Sequence, residues 1–126
     1  MVLRFRKLPE KYAVYRLPAE APVPEWASRG PLISITRTND ELSLVCPVSN
    51  FPRAVEPGIS WTCLRLEGPF AFTETGVLLS FVRPLSEAGI PIFAISTYDT
   101  DYVLVPDAAT ERALAVLSAA GHTGLD

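Results

Sequence analysis

The run Ser96-Thr-Tyr-Asp-Thr-Asp101 sets six polar or half-polar side chains in a row between two stretches rich in β-branched and other apolar residues. Well upstream, Glu67–Gly76 leads into an apolar segment with helical periodicity. A helix starting there presents backbone N–H groups that have no intrahelical partner, and such groups favour anions, a carboxylate among them. Gly76 in the first turn allows close approach of a ligand to the backbone. A donor-rich helix start facing an aspartate suits a zwitterion, with its carboxylate at one end and its ammonium at the other. A plainer reading uses the same residues. Asp99 and Thr100 form a hairpin turn, Asp101 caps it, Tyr102 packs, and Glu74 favours the positive end of the helix.

Other chemistry is thinly represented. Cys46 and Cys63 lack short metal spacing, and His122 is the only histidine. Together they supply three zinc ligands at most, and nothing in the sequence gathers them. A Cys–His catalytic pair is compatible with the counts. The contexts Leu-Ser-Leu-Val-Cys46 and Trp-Thr-Cys63-Leu-Arg-Leu are strand-like, so buried, inert thiols are expected, with no metal, no disulfide and no cofactor.

The 126 residues are 48% hydrophobic and 20% charged, enough apolar material for one domain or two very small ones. Net charge is −3, and although Arg4, Arg6, Lys7, Lys11 and Arg16 cluster near the start, the acidic balance opposes nucleic-acid binding. No stretch approaches the ~20 apolar residues of a membrane span. The opening Met-Val-Leu-Arg-Phe-Arg-Lys carries charges where a signal peptide needs an apolar core. A soluble, cytoplasmic chain with no membrane partner is expected.

The elements that must position the two polar groups emerge from an internal repeat. PLISITRTNDELSLV (31–45) and PIFAISTYDTDYVLV (91–105) align at an offset of sixty, with Pro31/Pro91, Ile35/Ile95, Leu44/Leu104 and Val45/Val105 identical. Each reads as strand, polar turn, strand. Upstream of each lies another strand, YAVYRL (12–17) and WTCLRL (61–66). Between strand and hairpin the first half holds Pro18, Pro22 and Pro24, leaving room for one helical turn around Glu25–Ser28. The second half predicts a helix over 76–88, capped by Thr75, kinked at Pro84 and stopped by Gly89. A last helix starts at an Asp107 N-cap and ends at Gly121, whereas Pro52 and Pro57 oppose a full helix at 48–58. Residues 2–8 read as a separate strand joined to 12–17 through a turn at Pro9-Glu10-Lys11.

The order is β-α-β-β-α, the split βαβ or ferredoxin-like pattern. The predicted class is α+β, two ferredoxin-like units in tandem, the first shortened, with residues 1–58 in one and 59–126 in the other. Only His122–Asp126 follow the last helix, too few for a normal strand, so residues 2–8 are expected to fill the outer position. In a split βαβ unit the loop after the first strand lies at the same edge as the hairpin turn, which brings Glu67–Gly76 beside Ser96–Asp101.

The runs Phe72-Thr-Glu-Thr-Gly-Val, Pro84-Leu-Ser-Glu-Ala-Gly-Ile and Ile95-Ser-Thr-Tyr-Asp-Thr-Asp-Tyr-Val-Leu-Val resemble the ACT domain, and more narrowly the small bacterial ACT proteins related to the cytosolic arginine sensors of animals. The resemblance is strong over 61–121 and weaker over 10–50. It implies paired ferredoxin-like units that bind an amino acid or similar small effector at an interface. Carried over by motif, it implies ligand-binding roles for Glu74, Thr75, Gly76, Thr97, Tyr98 and Asp101. Asp101 would hold the amine, backbone near Thr75–Gly76 the carboxylate, and Glu74 a polar or basic side chain. The hairpin Thr38-Asn-Asp-Glu41 departs from the pattern and receives no such role.

The leading expectation is a non-catalytic, amino-acid-responsive regulatory protein, homodimeric, with an unidentified regulated partner. A small cofactor-free enzyme on a dimeric ferredoxin-like scaffold, using Asp101 or Glu74 as acid–base group, is a second. A ligand-free interaction module is a third.

Overall fold

Alternating apolar and polar side chains from Leu3 onward build one long strand, β1, Arg4–Leu17. The structure is a computed structural model and describes residues 1–71 and 73–126. The turn expected at Pro9-Glu10-Lys11 is absent, and the strand runs through it. Pro9 lies between the stretch paired with the C-terminal strand (Arg4–Arg6) and the stretch paired with the next hairpin (Tyr12–Leu17), so neither pairing asks for its missing N–H.

The chain then forms β2 (Ser34–Arg37), β3 (Leu42–Pro47), β4 (Trp61–Leu66), α1 (Val77–Glu87), β5 (Phe93–Ser96), β6 (Asp101–Pro106), α2 (Thr110–Ala119) and β7 (Thr123–Leu125). Single-turn 3-10 helices occupy Glu25–Ser28, Val48–Asn50 and Asp107–Ala109. The backbone divides into two units, Met1–Pro9 with Thr62–Asp126, and Glu10–Trp61. The boundary expected between residues 58 and 59 kept residues 1–9 with the first unit. The structure groups them with the later strands because Arg4–Arg6 pair with β7 and Leu3 and Phe5 enter the core under the helices.

In the unit holding residues 62–126 the strand order is β7-β1-β4-β6-β5. The start of β1 fills the place beside β4, as expected of residues 2–8. The tail judged too short for a strand forms three-residue β7, parallel to β1 with Arg4 opposite Thr123. Val77, Phe81 and Leu85 recur every fourth residue along α1 and bury one stripe against Leu64, Leu66, Val103 and Val105 of the sheet. Ala113 and Leu117 of α2 complete the layer. Phe5 meets Phe81 edge-on, ring centres 5.3 Å apart. Each such side chain contributes roughly 1.5–3 kcal/mol by leaving water.

The helix ends show which local signals acted. Thr75 does not cap α1. Gly76 occupies the N-cap position at φ 80°, a left-handed conformation that glycine adopts without strain, and no side chain caps the helix. Asp107 does not cap α2 directly either. Its Oδ1 accepts from the Thr62 hydroxyl at 2.8 Å, and a 3-10 turn intervenes before the α-helix. Both helices close as expected on glycine. Gly89 N–H donates to Ser86 O and Ile90 N–H to Leu85 O; Gly121 N–H donates to Ser118 O and His122 N–H to Leu117 O.

Residues 10–61 order their strands β2-β3-β1, the same sense as β5-β6-β4. Pro18, Pro22 and Pro24 leave the single helical turn at Glu25–Ser28 that the sequence predicts. Ala27, Leu42, Leu44 and Cys46 form the core, flanked by Tyr15, Trp26 and Phe51, whose rings contact one another.

The repeat is present but its offset is 59, one less than the identities suggest. Ser34 pairs with Val45 and Arg37 with Leu42, as Phe93 pairs with Leu104 and Ser96 with Asp101. Thr38 and Thr97 each donate their N–H to the carbonyl three residues on, and Pro47 and Pro106 end the equivalent strands. Side chains alternate along a strand, so the identities at offset sixty, such as Leu44/Leu104, sit on opposite faces of equivalent strands.

Candidate functional site

A cleft of about 190 Å³ opens at one end of the 62–126 unit, lined by Phe70, Ala71, Glu74, Val77, Ser96, Thr97, Tyr98, Asp99, Thr100 and Asp101. The structure thus brings four of the six sequence-predicted residues, Glu74, Thr97, Tyr98 and Asp101, around one space. Thr75 and Gly76 are not in its lining; Val77, the next residue, is. Phe72 of the motif lies outside the described residues.

Two hydrogen bonds and one close backbone approach set the hairpin against the end of β4 and the loop that follows it. Phe70 N–H donates to Asp99 O at 2.9 Å. The Thr100 hydroxyl, buried, donates to Leu66 O at 2.7 Å. At Gly68 a Cβ would lie 3.0 Å from the Asp99 carbonyl oxygen, so the close approach favours glycine there.

Within the hairpin, Thr97 is committed. Its hydroxyl donates to Thr100 O at 3.0 Å and accepts from Thr100 N–H at 3.3 Å, while its own N–H donates to the same carbonyl at 2.8 Å. Thr97, given a ligand-binding role by the resemblance, lines the cleft and has its hydroxyl engaged in shaping the turn. Ser96 and Asp101 face each other across the hairpin neck, and the Ser96 hydroxyl donates to Asp101 Oδ1 at 2.5 Å. Tyr98 at the tip is 77% exposed. Sequence reasoning set Ser96 in the polar run but gave it no binding role, although its place opposite Asp101 follows once the hairpin register is known.

The side-chain charges around the cleft are the carboxylates of Glu74, Asp99 and Asp101. The compensating positive character comes from the start of α1. The first intrahelical bond runs from Ser80 N–H to Gly76 O, so the amides of Val77, Leu78 and Leu79 precede the ladder. The arrangement offers anionic acceptors on the hairpin and amide donors on the helix. In the other unit, Arg37 and the fully buried Leu42 stand at the positions of Ser96 and Asp101, so its hairpin keeps the threonine turn without the carboxylate.

Neither thiol is in the lining of this space. Burial pushes Cys63 up to about 12 and raises Cys46, which keeps both as neutral, poorly nucleophilic thiols. His122 is buried with both ring nitrogens engaged, Nδ1 accepting from Leu3 N–H at 3.0 Å and Nε2 lying 3.0 Å from Ser80 O. Tyr15 and Trp26 pack in a ring cluster with Phe51. Among the described residues no helix is long and apolar enough to cross a membrane.

The family model for the ACT domain matches residues 58–119. A separate model, of an N-terminal domain family, matches residues 10–54. The crystal structure of protein Atu0741 from Agrobacterium tumefaciens is 43% identical, with a TM-score of 0.89 over 99% of this chain and 93% of that one. A Vibrio cholerae protein of unknown function, VC0802, a possible transport protein, is 20% identical with a TM-score of 0.73 over 90% of this chain and 85% of that one. The aspartokinase α and β subunits share the fold at 16% identity, TM-score 0.65, over 95% of this chain and 98% of that one. Residues 58–119 therefore carry a match to the ACT domain, and the chain belongs to one family with the Agrobacterium tumefaciens protein.

Proposed function

We propose that the chain is a non-catalytic regulatory protein that holds an amino acid, or a similar small zwitterion, in the cleft between the hairpin tip and the start of α1. The observation that carries this reading is the joint lining of one small space by Asp101 and by Val77, the first residue of α1. Asp101 takes the ligand ammonium, the amides beyond Gly76 take its carboxylate, and Glu74 faces its side chain. Thr75 and Gly76 contribute through the backbone they place at the helix start, and Tyr98 borders the mouth. The volume falls below the roughly 300–1,000 Å³ of drug-sized sites, which suits a ligand of few heavy atoms. ACT domains in general bind small ligands in a regulatory setting.

Residues 10–61 act in this reading as a shortened ACT-like unit, supported by the shared strand order and hairpin geometry. The working species is a homodimer, a second copy completing the open side of the cleft.

Thermal unfolding against each of the twenty common L-amino acids tests the proposal. A ligand at one hundred times its Kd adds roughly 2.7 kcal/mol, a rise of about 3–6 °C for a chain of this size. One responder, lost in Asp101→Ala, is the expected result. A flat panel from well-folded protein overturns the reading and favours a ligand-free interaction module.

A further inference from the structure

Ser96 carries information beyond the binding reading on which this inference rests. A carboxylate at the end of a strand turns about a broad terminal torsion, so an isolated Asp101 presents either oxygen in many directions. In the structure it is not isolated. Ser96 is its direct partner across the hairpin neck, and the Ser96 hydroxyl donates to Oδ1 at 2.5 Å, with both residues lining the cleft. Oδ1 is thereby tethered, and Oδ2 is left as the oxygen that accepts no side-chain hydrogen bond among the described residues. The neighbouring hydroxyls cannot substitute, because those of Thr97 and Thr100 are spent on Thr100 O and Leu66 O.

We infer that Ser96 is a positioning residue that fixes the Asp101 carboxylate so that Oδ2 meets an incoming ammonium group. Holding a binding group through a second hydrogen bond removes reorientation that the ligand would otherwise impose, and affinity rises without any contact between Ser96 and the ligand. Register explains why the arrangement belongs to one hairpin only: the equivalent pair in the other unit is Arg37 and Leu42, which can form no such bond.

The probes are the twenty L-amino acids and, for any responder, the corresponding carboxylic acid lacking the α-amine. Affinity is read by calorimetry on full-length wild type, Ser96→Ala, Ser96→Thr, Asp101→Asn and the Ser96→Ala/Asp101→Asn double variant. Ser96 is exposed, and far-UV circular dichroism checks that each variant keeps the fold. The expected result is a loss of about 3–10-fold in Ser96→Ala, as for one hydrogen bond. Ser96→Thr restores affinity, the double variant binds no worse than Asp101→Asn, and Ser96→Ala does not change binding of the amine-free acid. A responder bound equally by wild type and Ser96→Ala overturns the positioning role while leaving the binding reading intact. So does an equal loss for the amine-free acid, which marks a general structural effect. No responder with wild type overturns the binding reading and this inference with it.

Discussion

Pro84 and His122 meet through one carbonyl. Pro84 sits inside α1 and has no N–H to return to Ser80 O four residues back; His122 Nε2 lies 3.0 Å from that oxygen. Its Nδ1 accepts the Leu3 amide at 3.0 Å, so Nε2 carries the ring proton and donates it to Ser80 O. The ring also packs on Phe81, centres 5.4 Å apart. One imidazole thus compensates the helix for its proline and ties the first strand to the turn after α2.

Replacing His122 by Ala strips a buried amide and a half-buried carbonyl of their partners. Urea unfolding should show a loss of about 2–4 kcal/mol. In a Pro84→Ala background the Ser80 carbonyl regains a backbone donor, and the loss from His122→Ala should shrink by about 1 kcal/mol. Equal losses in both backgrounds would remove the compensation argument.

Two glycines separate strain from clash. Gly76 has φ 80° with open space where a Cβ would project, and Gly30 has φ 130° with Pro47 Cγ 2.7 Å from that position. Gly76→Ala should lose about 1–2 kcal/mol through backbone strain alone. Gly30→Ala carries strain plus overlap with a proline ring and should lose more, about 2–4 kcal/mol. Denaturant midpoints of the two variants check the ranking.

Alkaline pH should weaken the fold through Cys63. Its pKa rises from 9.0 to about 12 on folding, so between those values the unfolded chain holds fewer protons than the folded one. Stability contributed by the neutral thiol is present below pH 9 and is lost as pH rises toward 12, at up to about 1.4 kcal/mol per pH unit. Cys63→Ala should flatten this part of the stability profile relative to wild type. Thiol reagents at pH 8 should label Cys63 only after unfolding.

Asp101→Asn and Glu74→Gln should behave differently in the amino-acid panel. Asp101→Asn removes the charge proposed to hold the common ammonium group, so every response should fall by at least about tenfold in affinity. Glu74→Gln should reorder the responders, because Glu74 is assigned the variable side chain. Thermal shifts across the panel distinguish the two patterns.

Much of this arrangement was legible in the residues. The stripe Val77, Phe81, Leu85 with Gly89 behind it located α1 to within a residue at each end, and three prolines left one turn at Glu25–Ser28. The cleft followed from topology, since a split βαβ order places the loop after β4 beside the β5–β6 turn. Thr75 failed as a cap because the backbone at Gly76 is left-handed, a state that leaves no sign in a neighbouring side chain. The offset of sixty failed because side-chain identity is blind to which face a residue occupies, whereas hairpin pairing is not. Pro9 read as a turn, and only the placement of its neighbours' partners made an extended proline acceptable. Ser96 was invisible as a partner of Asp101 until cross-strand register was known.

The parallel pairing of Arg4–Arg6 with Thr123–Leu125 has a temporal consequence. The Leu3 amide and the His122 ring that receives it are 119 positions apart. A ribosome that has made β1 must therefore add over a hundred further residues before that strand acquires its parallel neighbour, β7, on one edge. Contacts of such separation close slowly, and until they do the strand's backbone donors and acceptors stay open to other chains.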